Sequence, residues 1–76
     1  MDNKGINIDF DNLMHMYQAQ ELYNTLKIKC HPDRFLEPFE IEKATALFQL
    51  ISENKNNYKE LLRLQKLAIE QLGINF

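Results

Sequence analysis

Apolar and polar positions recur along this chain at helical spacing, and a few glycines and prolines cut the pattern into segments. Leu13, Met16, Tyr17, Tyr23, Leu26 and Cys30 form the first apolar series. Their spacing fits one stripe of an α-helix. Gln18, Gln20, Asn24 and Lys27 fill the other side. This predicts a helix over 11–30 that starts near Phe10, capped by Asp9 or Asp11, with room for a kink near Gln18–Gln20.

Pro32 disfavours helical backbone at His31, so the first helix is expected to end at about Cys30. Residues 31–37 then form a loop. Pro38 suits a first helical turn, where its missing N–H costs nothing. Glu37, Glu40 and Glu42 favour the positive end of the helix dipole there. The second helix, expected over 38–55, carries Ile41, Ala44, Leu47, Phe48 and Ile51 on one stripe.

The apolar pattern thins from Ser52 to Asn57. Asparagine tolerates left-handed backbone, so a tight turn is expected at Asn56–Asn57. Tyr58, Leu61, Leu62, Leu64, Leu67, Ala68 and Leu72 resume the pattern as a third helix over 58–72, with Gly73 as its stop. Leu64 and Ile69 fall off the main stripe and suggest a modest exposed patch. The alternative is one unbroken helix over 38–72, about 50 Å long.

The fold class that follows is all-α: an antiparallel hairpin of 11–30 and 38–55 with a third helix beside it. Ile6–Phe10 alternates like a strand, but one such run makes no sheet. Residues 1–8 read as a flexible leader and 9–76 as one helical domain.

Composition narrows the functional classes. With 76 residues the chain has room for one small core. A net charge of -2 argues against nucleic acid or an anionic membrane as the partner. A single cysteine permits no internal disulfide and makes a reducing, cytoplasmic setting the default. No apolar run approaches a membrane span, and Met1–Lys4 leads into no apolar signal region.

The candidate chemistry lies at His31-Pro32-Asp33, followed by Arg34 and Phe35. Proline pre-sets the backbone and limits the entropy lost on binding. Asp33 offers a carboxylate whose natural partner is an arginine on another protein. Lys27, Lys29 and Arg34 add positive charge nearby. Such a tip suits docking better than catalysis.

Residues Tyr23 to Phe35 resemble the second helix and loop of a J-domain, the DnaJ-type co-chaperone module, in a small bacterial-type variant. Tyr23 and Leu26 match the family's apolar positions, and Lys29 and Arg34 match its basic ones. Ala44, Phe48 and Ile51 match the stripe of its third helix. Asn56-Asn57-Tyr58-Lys59-Glu60-Leu61-Leu62 is similar to the turn and fourth helix of a bacterial subgroup. The resemblance spans roughly residues 17–72.

It implies docking on the ATP form of a DnaK-type chaperone and stimulation of that partner's ATP hydrolysis. Asp33 would meet a chaperone arginine, His31 and Pro32 would fix the loop, and Lys27, Lys29 and Arg34 would steer association. The module would be a monomer, not an enzyme, and would need no cofactor. Several features depart from the family. A separate short first helix is not visible. Asn24 and Thr25 stand where paired basic residues are usual, Cys30 replaces an aromatic, and the spacing to Phe48 is about one helical turn longer. The alternative is therefore a degenerate J-domain, a small helical interaction module without chaperone stimulation.

Other readings are weaker. Cys30-His31 as nucleophile and base lacks an orienting third group, and Cys30 on the apolar stripe reads as a buried structural thiol. His15, Cys30 and His31 lack a fourth ligand at zinc spacing, so no metal site is expected. The seven-residue connection exceeds a helix-turn-helix turn. The leucines of 58–72 read as intramolecular core, with a helix-pairing surface as the alternative.

Overall fold

A computed structural model describes residues 10–76 and, for Asp11, the backbone alone. The expected leader over 1–8 and the capping by Asp9 or Asp11 lie outside what is described. Three helices follow: α1 (Phe10–Lys29), α2 (Pro38–Glu53) and α3 (Tyr58–Leu72), with a short 3-10 turn at Pro32–Arg34. The described residues contain no strand, so the all-α hairpin with a third helix stands as read.

The boundaries follow local chemistry. α1 runs helical through Gln18–Gln20 and ends before the residue that precedes Pro32. Pro38 occupies the first turn of α2. The Asn57 side chain accepts the Glu60 N–H at 3.2 Å and caps α3. Gly73 closes α3 at φ 65°, a left-handed conformation in which its N–H and that of Ile74 reach back to the carbonyls of Ile69 and Ala68.

The second half breaks into two helices as expected, because residues 54–57 turn between α2 and α3, which sets aside the continuous alternative over 38–72. One expectation about the turn needs correction. It does not use left-handed asparagine: no described non-glycine residue has positive φ. Asn54 closes α2 instead, its N–H on the Ile51 carbonyl at 3.1 Å. Asn57 then begins α3 in extended backbone.

Contacts at the helix ends fix the topology. The His15 ring stacks on Tyr58, 6.1 Å between centroids, so α1 and α3 start side by side. Lys29, at the other end of α1, donates to the Asn75 carbonyl beyond α3 at 2.6 Å. α1 and α3 are therefore parallel, and α2 runs antiparallel between their ends. Each helix touches both others.

The core is one cluster: Ala19, Leu26, Cys30, Leu47, Ile51, Leu61, Leu64 and Ala68. Leu22, Tyr23, Tyr58, Leu67, Leu72 and Ile74 pack half-buried around it. The second stripe is close to expectation, with Ala44, Leu47 and Ile51 buried, although Ile41 sits at the exposed margin. In α3 the stripe is rotated from the reading: Leu64 is fully buried and Leu62 exposed, because Leu61, Leu64 and Ala68 share the inward face. Ile69 is exposed as read.

The larger correction concerns α1. Leu13, Met16 and Tyr17, expected on the buried stripe, are 45%, 68% and 67% exposed. The inward face is carried by Ala19, Leu22, Leu26 and Cys30. Tyr17 and Ala19 differ by roughly 200° around a helix, so Tyr17 points away from the core, as do Leu13 and Met14, while Met16 stays exposed on the Ala19 side. α3 starts level with His15, so it does not stand opposite the first turn of α1; the 54–57 turn lies nearest that end instead.

Candidate functional site

The tripeptide turn is built by its own atoms. His31 takes extended backbone, φ −62° and ψ 131°, as the residue before proline must. The Asp33 N–H donates to the His31 Nδ1 at 3.2 Å. The Arg34 N–H reaches the His31 carbonyl at 3.0 Å, and the Phe35 N–H reaches the Pro32 carbonyl at 3.1 Å. The His31 Nδ1 is thus the acceptor that closes the turn from the side-chain side.

A second contact holds the histidine against the bundle. Its ring meets Phe48 of α2 edge-to-face, 5.1 Å between centroids. Phe48 also lies 5.2 Å from the Lys27 ammonium, which stands 5.3 Å from the Tyr23 ring. Phe48 is thus the platform under both His31 and Lys27.

Asp33 projects into solvent. Its side chain is 92% exposed, and its carboxylate is 3.8 Å from the His31 Nδ1, beyond a hydrogen bond. One shallow depression is lined by Lys27, Ile28, His31, Asp33, Arg34 and Phe48. Ile28, 64% exposed, adds an apolar surface beside the charges.

Four of the six residues singled out from the sequence, Lys27, His31, Asp33 and Arg34, thus line one surface, and Pro32 shapes it. Lys29 does not join them. Besides bonding Asn75, its ammonium lies 5.2 Å from the Phe76 ring, so the residues after α3 engage it. Ile28 and Phe48 were missed as site residues. The signal for Ile28 was available: an isoleucine outside the Leu26–Cys30 stripe, three residues before the histidine.

The competing chemistry finds no support in the geometry. Cys30 is fully buried, and burial pushes its thiol up to about 11, which suppresses the nucleophilic thiolate. His15 faces Tyr58 at the opposite end of α1 from Cys30 and His31. The leucines of α3 are mainly core, so only Leu62 remains of the pairing surface read there.

No protein-family model, curated protein or solved structure matches this chain.

Proposed function

We propose that this chain is a J-domain-like co-chaperone module that docks on a DnaK-type chaperone and stimulates its ATP hydrolysis. The observation that carries this reading is Asp33: an almost fully exposed carboxylate on a pre-ordered turn, at the tip between two antiparallel helices. Lys27 and Arg34 flank it and steer an acidic surface toward it, while Ile28 and Phe48 offer apolar contact. A rigid turn loses little entropy on binding, so more of the contact energy remains as affinity. The chain supplies no reacting group. It biases the partner's conformational equilibrium, and the chemistry stays in the chaperone.

The test is single-turnover ATP hydrolysis by a DnaK-type chaperone, with the chain and with Asp33→Asn. Stimulation by the first and none by the second is expected, with unchanged folding, because an exposed substitution leaves the core intact. Stimulation retained in the folded variant, or absent with the folded parent, overturns the reading.

A further inference from the structure

The N-terminal half of α1 carries an apolar stripe that faces away from the core. Phe10, Leu13, Met14 and Tyr17 fall on one face, and Met16 lies off it, on the Ala19 side. Phe10 is 75% exposed, Leu13 45%, Met14 52%, Met16 68% and Tyr17 67%. The spacing of 10, 13 and 17 is that of a coiled-coil seam. A groove of about 660 Å³ runs beside these residues, with Lys55 and Asn56 on its rim.

We infer that this stripe pairs with the same stripe of a second copy, antiparallel about a twofold axis near Met14. The module is then a dimer, in place of the monomer expected from the sequence.

Two features select a second copy. The first is charge. In a twofold contact each residue near the axis meets its own counterpart, so any charge there repels itself. Residues 12–16, nearest that axis, carry no formal charge apart from His15 if protonated, and Asp11, the one carboxylate in 10–17, falls opposite Met16 in this register. His15 stacks on Tyr58.

The second is area. With about 200 Å² for each large side chain, the exposed fractions of Phe10, Leu13, Met14 and Tyr17 come to roughly 480 Å² per copy. A fully covered pair would bury about 950 Å², the size of a weak, transient interface. The antiparallel register sets Phe10 against Tyr17 of the second copy at both ends of the seam, and Met14 near Met14 at its centre.

The experiment is sedimentation equilibrium on the full chain up to about 1 mM, a limit that captures even weak association. A monomer–dimer equilibrium is expected, weakened at least tenfold by Tyr17→Glu. Helical content, read by circular dichroism, should stay unchanged, because these side chains are exposed. Met14→Glu and Met14→Lys should each be monomeric alone and pair when mixed, since opposite charges then meet at the axis. A parent chain monomeric throughout, including one whose stripe binds a different protein, overturns the inference. So does a dimer that survives Tyr17→Glu, or a failure of the two Met14 variants to pair.

Discussion

The two halves of α1 carry apolar residues in reverse proportion to what they bury. Residues 10–19 hold six of them and residues 20–29 hold four. Yet the first half places only Ala19 in the core, whereas the second contributes Leu26 outright and Leu22 and Tyr23 in part. Hydrophobicity alone did not decide burial. What decided it was whether α2 and α3 stand opposite, and α3 begins level with His15. Burial is a property of the pair of surfaces, and a small side chain at a close approach, such as Ala19, is worth more to the fold than a large one facing outward.

The sharpest way to break this comparison is to truncate the buried half. Leu26 is fully buried at the centre of the cluster. Leu26→Ala should cost about 2–5 kcal/mol, the lost transfer energy plus the cavity left behind. For a domain this small that is a large part of its stability. Urea denaturation at neutral pH reads it directly. A cost below about 1 kcal/mol would mean that the core repacks freely around this position.

Cys30, at the end of the same half, sharpens the comparison through pH. Burial raises its thiol to about 11 from 9.0. The folded chain therefore keeps the proton in a range where the unfolded chain has lost it. Its contribution to stability is full below pH 9 and falls as pH rises from 9 to 11, by roughly 2–3 kcal/mol. Denaturation midpoints across that range should slope downward. Cys30→Ala, compared with itself at neutral pH, should lose this part of the slope while keeping whatever tyrosine and lysine titration contributes. An unchanged slope would mean that the thiol is better solvated than its burial indicates.

The helix ends were legible because their signals are local: Pro32 and Pro38 exclude backbone shapes, and Gly73 accepts positive φ. The turn at Asn56–Asn57 was placed by its asparagines, although Asn57 acts there as a cap and not through left-handed backbone. The orientation of α1 was not. Leu13, Met16, Tyr17, Tyr23, Leu26 and Cys30 keep helical spacing, but together they wrap a wide arc, and nothing in that spacing says which part a neighbour covers. Ala19 carried no visible signal, since alanine suits either face of a helix. At the tripeptide the exposed Asp33 was readable from its neighbours in sequence. The platform role of Phe48 was not, because it depends on a contact between α1's end and the middle of α2. The engagement of Lys29 by Asn75 and Phe76 spans an even longer separation along the chain, and no local pattern announces it.

The smallest expected effect completes the comparison with Leu26. Leu13 has the same side chain on the same helix, but it sits on the outward stripe at 45% exposure. Leu13→Ala removes no core contact and leaves no enclosed cavity. Alanine's slightly better helix propensity offsets part of what is lost. At low chain concentration, where the monomer dominates, the change should stay within about 0.5 kcal/mol. If two copies pair through this stripe, the parent chain should gain apparent stability with concentration by mass action, and Leu13→Ala should gain less. Denaturation at two chain concentrations reads both effects at once. A cost near that of Leu26→Ala in the dilute sample would mean that the stripe is covered within the monomer. The two halves of α1 would then differ in neither burial nor role.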